Sequence, residues 1–304
     1  MSNNSAAQTV RAWIRRSETK LESSGAYFGH GTDNALDEAA WIVGGALKLS
    51  PAELESHLER AVTATEAAAI EALIDRRVHT RKPAAYLLQQ AWFAGLCFYV
   101  DERVIVPRSL TGEFIHEQFQ PWIDPARVRH ILDLCTGSGC MAIACAHAFP
   151  DALVDAADLS TDALAVARIN VERNRLERRV RLMHSDLYAG LTGARYDVIV
   201  TNPPYVPDAE IAQLPLEYQH EPALALASGA TGLDAIVQIL AGAPDYLQPD
   251  GILIAEVGNS HEALQQAFPE VPFLWLSTAT GDESVFLLTA AQLGAHHAAF
   301  ARPR

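Results

Sequence analysis

The sequence predicts an α/β protein in which a doubly wound, largely parallel sheet follows an N-terminal helical domain. Three observations carry this prediction. Residues from about 6 to 80 show only helical periodicity, residues 91–107 change to short strands around a turn, and strands alternate with helices from about residue 110 onward. Such alternation is typical of a parallel sheet covered by helices on both faces.

Length and composition agree with two folded domains. The chain has 304 residues, and domains usually take roughly 100–200 residues each. An apolar content of 49% excludes a mainly disordered chain. The 37 acidic and 23 basic side chains give a net charge of −14, which disfavours generic binding to phosphate backbones and suits a basic protein partner. No direct nucleic-acid binding is therefore expected.

Location and metal content follow from what the sequence lacks. The residues from Met1 to Val10 are polar, without an apolar signal segment, and no run approaches the roughly 18 apolar residues of a membrane span. The four cysteines fit no two-residue zinc spacing. We expect a cytoplasmic protein without a membrane segment or a metal site.

Helix start signals define the first domain, predicted to span residues 1–88. Ser50 precedes Pro51 and is followed by Glu53, while Thr63 is followed by Glu66. Both are capping boxes, in which the two side chains satisfy the first free backbone N–H groups of a helix.

A β-hairpin linker is predicted over residues 89–108. Short apolar and aromatic runs at 91–93, 97–100 and 104–106 resemble strands, and Pro107 ends the last of them. This segment is expected to join the helical domain to the sheet.

The second domain is predicted to span residues 109–304. Its expected strands cover residues 130–134, 153–158, 180–183, 196–200, 252–256, 273–276 and 284–288, and its main helices cover residues 139–149, 161–173, 232–247 and 260–268. The last two strands are separated only by a short turn near Gly281, so the final strand should pair antiparallel. Residues 292–304 are expected to form a mobile tail.

A glycine loop and three acids mark a ligand site at the strand ends. Gly137 and Gly139 follow the strand that contains Asp133, and glycine permits close approach of a ligand to the backbone. Asp158 ends the next strand, where a carboxylate can accept both hydroxyls of a ribose. Asp186 lies just past the third strand, near where the adenine edge of a bound nucleoside would rest. The glycine pattern alone also fits a dinucleotide site or a plain tight turn.

The decisive motif is Asn202-Pro203-Pro204-Tyr205, directly after the fourth strand. Open α/β sheets bind ligands at this edge. The prolines fix the backbone and remove two donors, so the Asn202 amide and the Pro203 carbonyl are presented as acceptors. Tyr205 offers a flat face. The arrangement suits a planar nitrogen that bears two hydrogens.

This motif and its context resemble class I, Rossmann-like methyltransferases that use S-adenosylmethionine to modify planar amino or amide nitrogens. That group includes adenine-modifying enzymes and protein glutamine methyltransferases. Residues 102–108, 220–226 and 256–259 resemble the glutamine enzymes. The resemblance implies an enzyme with S-adenosylmethionine as cofactor and S-adenosylhomocysteine as product.

Two further segments resemble one branch of the glutamine enzymes. Residues 27–34 and 91–103 are similar to the branch that acts on large-subunit ribosomal protein three, rather than the branch that acts on peptide-release factors. Two departures are visible: Leu110 stands where proline is expected, and Leu187 stands where an aromatic residue is common in the release-factor branch. The implied partner is a basic large-subunit ribosomal protein.

The resemblance and the motifs together assign roles to individual residues. The predicted catalytic residues are Asn202, Pro203 and Tyr205. The predicted cofactor-binding residues are Asp133, Thr136, Gly137, Gly139, Asp158, Asp186, Leu187 and Asn202. The predicted substrate-binding residues are Asn202, Pro203, Pro204, Tyr205 and Arg108.

Alternatives remain at this stage. The motif also fits a DNA or RNA adenine methyltransferase, because adenine presents an exocyclic amino group, although the acidic charge argues against it. A release-factor glutamine methyltransferase shares most of the pattern. A nicotinamide-dependent oxidoreductase would explain the glycine loop and Asp158 but not the diproline motif. A non-catalytic adapter would not need the intact set of motif residues.

Overall fold

The computed structural model describes residues 8–191 and 193–301. The chain forms two compact units. One comprises the described residues up to Ala91 together with the short segment Pro215–His220; the other comprises Trp92–Leu214 and the residues from Glu221 onward. The chain thus leaves the second unit for six residues, soon after the Asn-Pro-Pro-Tyr motif, and then returns to it.

The first unit is helical, as predicted. Its helices are α1 (Val10–Ser23), α2 (Ala35–Leu47), α3 (Pro51–Ser56), α4 (Ala64–Thr80) and α5 (Ala84–Leu88). Both predicted capping boxes are confirmed, at Ser50 with Glu53 and at Thr63 with Glu66. Apolar side chains of α1, α2 and α4 form the core of this unit, including Val10, Leu21, Ala39, Ile42, Val43 and Ile70.

A buried ionic cluster, formed by Glu38, Arg77, Arg81 and Glu217, holds Pro215–His220 in the helical unit. Arg77 donates to Glu38 at 2.7 Å and to Glu217 at 3.0 Å, and all three side chains are at most 1% exposed. Arg81 adds a third ion pair, with Glu217 at 2.8 Å. Since an unpaired buried charge is costly, these contacts determine where the segment lies.

The rest of the chain alternates strands and helices. In chain order the elements are β1 (Ala91–Phe93), β2 (Leu96–Phe98), α6 (Thr111–His116), β3 (His130–Leu134), α7 (Cys140–Ala148), β4 (Leu153–Asp158), α8 (Thr161–Arg173), β5 (Val180–His184), β6 (Tyr196–Thr201), α9 (Asp208–Ile211), α10 (Asp234–Tyr246), β7 (Leu247–Glu256), α11 (His261–Ala267), β8 (Leu274–Leu276), β9 (Val285–Thr289) and α12 (Ala290–Phe300). No helix in residues 8–191 and 193–301 is long and apolar enough to cross a membrane.

Seven strands form one sheet in the order β5-β4-β3-β6-β7-β9-β8. The first five pair in parallel, and β9 pairs antiparallel with both β7 and β8, as predicted. Strand order reverses between β3 and β6, which is where open α/β sheets bind ligands. Leu134 pairs with Thr201 across these strands, so the glycine loop and the diproline motif begin side by side.

Two predicted elements were wrong. Residues 104–106 form no strand. Val104 and Val106 are buried, but the Val104 N–H donates to the Asp101 carbonyl at 3.1 Å and the Val106 N–H donates to Glu221 rather than to a neighbouring strand. The expected mobile tail is helix α12 as far as Phe300, started by a capping box at Thr289 and packed through buried apolar side chains. Residues 302–304 lie outside the described residues.

Candidate functional site

The glycine loop after β3 turns sharply before α7. Cys135, Gly137 and Gly139 all have positive φ, at 58°, 55° and 79°. A Cβ on Gly139 would lie 3.2 Å from the Cβ of Ala167, whereas a Cβ on Gly137 would meet nothing within 4 Å. Gly139 thus serves close packing of the loop on α8, and Gly137 leaves open space at the strand ends.

Asp158, at the end of β4, faces this loop. One of its oxygens accepts the Gly137 N–H at 2.8 Å, and the other accepts the Ser160 N–H at 2.8 Å. Burial raises the pKa of Asp158, although both backbone bonds favour the ionised form. Because a carboxylate offers about four acceptor sites, it retains capacity for a ligand hydroxyl.

Asp133 lies beneath the loop and is completely buried. Its Oδ2 accepts the Thr136 hydroxyl at 2.5 Å and the Ala142 N–H at 3.0 Å. Its Oδ1 has no hydrogen-bond partner among the described residues. Burial raises the pKa of this carboxyl to about 7. Such a group has an acceptor in reserve for a cationic or hydrogen-bonding ligand.

The raised pKa of Asp133 has a testable effect on stability. Between the ordinary value of 3.8 and about 7, the folded protein holds a proton that the unfolded chain has released. Stability at this site therefore falls as pH rises through that window, with a slope of up to about 1.4 kcal/mol per pH unit. Urea unfolding from pH 4 to 8 should show a flatter dependence for Asp133→Asn than for the parent protein. Parallel curves would contradict the assignment.

The diproline corner begins where β6 ends. Thr201 anchors the strand end, since its hydroxyl donates to the Leu134 carbonyl at 2.9 Å. The next residue, Asn202, has a buried Oδ1 without a hydrogen-bond partner among the described residues. Native structures rarely leave such an acceptor unsatisfied unless a ligand or water completes it.

A cavity of about 300 Å³ lies over these strand ends. Gly137, Asp158 and Asp186 line it, as do Leu187 and Asn202. Among the predicted substrate-binding residues, Pro204 lines it as well. The described lining residues do not include the remaining predicted site residues, which are Arg108, Asp133, Thr136, Gly139, Pro203 and Tyr205.

The cavity is electrostatically negative. Asp158, Asp186 and Asp234 line it, and Arg103 is the one cation among its described lining residues. The Arg103 guanidinium is itself paired with Asp101, at 2.6 Å. A cavity with this charge favours a positively charged ligand over a pyrophosphate.

Arg108 is engaged by this chain. Its guanidinium makes a bidentate ion pair with Glu221, at 2.5 and 2.8 Å, and Glu221 also accepts the Val106 N–H. Next to it, Ser109 donates to the buried carboxylate of Glu256 at 2.6 Å. These contacts tie the linker to the segment after residue 220 and to the end of β7. The role of Arg108 in substrate binding stays a prediction.

Sequence reasoning missed Asn170 in α8. This fully buried side chain donates to the carbonyls of Ser138 and Tyr99, both at 2.9 Å, and accepts the Tyr99 N–H at 2.7 Å. It therefore joins the glycine loop to the linker. A signal existed, because Asn170 shares a helical face with Ala163 and Ala167, where a polar residue requires partners.

Comparisons with known proteins identify the relatives of this chain. The family model described as Methyltransferase small domain matches residues 116–216, and that of the PrmC N-terminal domain matches residues 13–88. The ribosomal protein uL3 glutamine methyltransferase of Neisseria meningitidis serogroup B is 50% identical over 294 residues, covering 95% of this chain and 97% of that protein. The chain belongs to the uL3 glutamine methyltransferase family. The resemblance inferred from its motifs is confirmed.

Other members of the uL3 glutamine methyltransferase family match over a similar length. The protein from Burkholderia pseudomallei is 48% identical over 296 residues, covering 95% of this chain and 96% of that protein. The protein from Bordetella pertussis is 48% identical over 292 residues, covering 96% of this chain and 98% of that protein. Both carry the name ribosomal protein uL3 glutamine methyltransferase.

Among solved structures, the hMettl16 catalytic domain in complex with MAT2A 3′UTR hairpin 1 matches with a TM-score of 0.50. It is 14% identical, and the match covers 94% of this chain and 93% of that one. At this identity the likeness concerns the fold. It supports the Rossmann-like methyltransferase architecture predicted for the uL3 glutamine methyltransferase family.

Proposed function

We propose that this chain transfers a methyl group from S-adenosylmethionine to the side-chain amide nitrogen of a glutamine in ribosomal protein uL3. The single observation that carries the chemistry is the buried Oδ1 of Asn202 at the switch point of the sheet, for which residues 8–191 and 193–301 provide no hydrogen-bond donor. A carboxamide N–H is the partner that this acceptor lacks. Membership of the uL3 glutamine methyltransferase family supports the choice of substrate.

The residues present fit S-adenosylmethionine. Its sulfonium and ammonium groups give it a net positive charge, which suits a cavity lined by three carboxylates and one paired arginine. We infer that Asp158 accepts the ribose hydroxyls, that Asp186 and Leu187 lie at the adenine, and that Gly137 permits close approach. The same charge distribution disfavours a nicotinamide dinucleotide, whose pyrophosphate is negative. When bound, the cofactor supplies a methyl group activated by positive sulfur.

The protein's contribution to catalysis is orientation and charge stabilisation. A glutamine amide is a poor nucleophile because its nitrogen lone pair is delocalised into the carbonyl. The Asn202 Oδ1 and the Pro203 carbonyl would accept hydrogen bonds from the two N–H groups of the glutamine amide. This would direct the nitrogen lone pair toward the methyl group and would stabilise the positive charge that develops on the nitrogen. Orientation of this kind is worth up to about 7–11 kcal/mol in intramolecular systems. A strong general base is not required, because the nitrogen would become acidic on forming the new N–C bond. Its proton would pass to solvent, and the S–C bond would break to leave S-adenosylhomocysteine.

We assign substrate recognition to the helical domain, predicted over residues 1–88. The net charge of −14 suits a basic ribosomal protein. The branch-specific residues 27–34 lie in this domain, where the Tyr27 N–H donates to Glu217 at 3.0 Å and the Tyr27 and His30 rings contact Tyr218. Residues 27–34 therefore help to hold the Pro215–His220 segment within the helical unit.

Methyl transfer to alternative substrates tests the proposal. The protein is incubated with tritiated S-adenosylmethionine and, in parallel, with uL3, a peptide-release factor, DNA and RNA. Label on a glutamine of uL3 supports the proposal. Label only on the release factor would move the chain to the other glutamine branch, and label only on nucleic acid would replace the proposal by adenine methylation.

Asp158 should control cofactor affinity. Asp158→Ala removes the acceptor for the ribose hydroxyls, and an unsatisfied buried polar group costs about 1–3 kcal/mol. We expect the dissociation constant for S-adenosylmethionine to rise roughly 5- to 150-fold. Isothermal titration calorimetry measures this directly. Asp151→Ala, at an exposed position beyond α7, serves as the control, and unchanged affinity in Asp158→Ala would refute the role.

A further inference from the structure

Tyr205 is held from several sides by residues outside the predicted catalytic, cofactor-binding and substrate-binding sets. We name Gly232, Gly258 and Ser260 the tyrosine clamp. Gly232 lies just before α10, whereas Gly258 and Ser260 follow β7. Three positions from two separate segments thus converge on the last residue of the diproline motif.

Gly258 makes room for the aromatic ring. A Cβ on this residue would lie 2.6 Å from Cζ of Tyr205 and nearer still to Cε2, closer than real Cβ atoms approach other atoms. Its φ of +46° also favours glycine. The Tyr205 ring therefore rests against bare backbone, and any side chain at position 258 would displace it.

Gly232 and Ser260 fix the backbone of the same residue. The Ser260 hydroxyl donates to the Tyr205 carbonyl at 2.8 Å, and Ser260 is only 5% exposed. A Cβ on Gly232 would overlap that carbonyl oxygen and would come within 2.8 Å of the Ser260 hydroxyl. Buried Gly232, with a φ of +75°, thus leaves space for this hydrogen bond. The Tyr205 ring is thus constrained by Gly258, and the Tyr205 carbonyl is constrained separately by Gly232 and Ser260.

We propose that the tyrosine clamp positions Tyr205 for glutamine methylation. The inference rests on the proposed function, and it adds that the Tyr205 ring, predicted to offer a flat face, packs against the carboxamide of the bound glutamine. The clamp residues act through Tyr205 and are positioning residues rather than catalytic ones. Their effect is to hold the ring and the diproline backbone in one place, so that the bound amide meets the methyl group in a single orientation.

The first test compares two glycine substitutions. Gly258→Ala forces the ring to move, whereas Gly281→Ala introduces a similar backbone strain, at φ +81°, with no atom within 4 Å of the new Cβ. We expect Gly258→Ala to lower kcat for uL3 methylation roughly 10- to 100-fold, because a misplacement of about 1 Å can cost that much. Affinity for S-adenosylmethionine should stay within about twofold. Gly281→Ala should retain parental turnover.

A double-mutant cycle separates positioning from general destabilisation. Tyr205→Ala removes the ring with which the new Cβ clashes, so adding Gly258→Ala should then change kcat little further. If the fold-losses in kcat of the two single variants multiplied in the double variant, the clamp would not act through Tyr205. A kcat equal to that of the parent protein in Gly258→Ala alone would contradict the proposal as well. If instead the parent protein does not methylate a glutamine of uL3, the proposed function itself fails, which distinguishes the two outcomes. Thermal unfolding of each variant identifies loss of fold.

Discussion

Replacement of Asn202 by alanine is expected to lower the rate of uL3 methylation roughly 100- to 1000-fold at saturating cofactor. The Asn202 Oδ1 is buried and unsatisfied among the described residues, so it is free to accept an amide N–H. It would also stabilise the positive charge that develops on nitrogen, and removing one such group from a preorganised site typically costs about 2.7–4 kcal/mol. Single-turnover methylation with tritiated cofactor measures this step.

A matched asparagine provides the control for that experiment. Asn174 ends α8, remote in sequence from the diproline corner, and its side chain bonds back to the carbonyl of Asn170. Asn174→Ala should retain parental turnover. If Asn202→Ala also turned over at the parental rate, the corner would not be the site of amide recognition, and the proposed mechanism would have to be abandoned.

Replacement of Arg77 by alanine is expected to lower the free energy of unfolding by about 3–5 kcal/mol, the usual cost of removing one partner of a buried ion pair. Arg77 is 1% exposed and neutralises both Glu38 and Glu217. Without it, Glu217 retains Arg81 but Glu38 loses its charged partner among the described residues. Urea denaturation followed by circular dichroism reports the change.

An exposed ion pair supplies the comparison. Arg11 pairs with Glu59 at 2.7 Å, and the two side chains are 57% and 74% exposed. Because solvent screens such pairs, Arg11→Ala should cost about 0–1 kcal/mol. Equal losses for Arg11→Ala and Arg77→Ala would show that burial of the ionic cluster contributes nothing to stability.

Much of the fold could be predicted because it is encoded locally. The helical period before residue 80, the capping boxes at Ser50 and Thr63, and the alternation of strands and helices after residue 110 each depend on neighbours within a few residues. The antiparallel final strand followed from the shortness of its turn. The positions of the candidate residues follow from the same local pattern, since Asp158 ends β4, Asn202 directly follows β6 and the glycine loop follows β3. Their roles stay predictions.

Local signals also explain the errors. Residues 104–106 have the apolar pattern of a strand, but the Val106 N–H donates to the Glu221 carboxylate, far along the chain, instead of to a neighbouring strand. The sequence pattern did not predict helix α12, although Thr289 and Gln292 form a capping box at its start. The helix is held by packing of its apolar side chains on the rest of the domain, and such packing leaves no signal in neighbouring residues.

By itself the sequence determined the class of fold, the order of its elements and which polar residues stand at the strand ends. Only the tertiary structure decided which distant residues act together: Glu217 with Arg77 inside the helical unit, Asn170 with the glycine loop, and the tyrosine clamp with Tyr205. The physical reason is that periodicity and capping act between near neighbours, whereas a buried charge, amide or ring takes its partners from wherever the folded chain brings them.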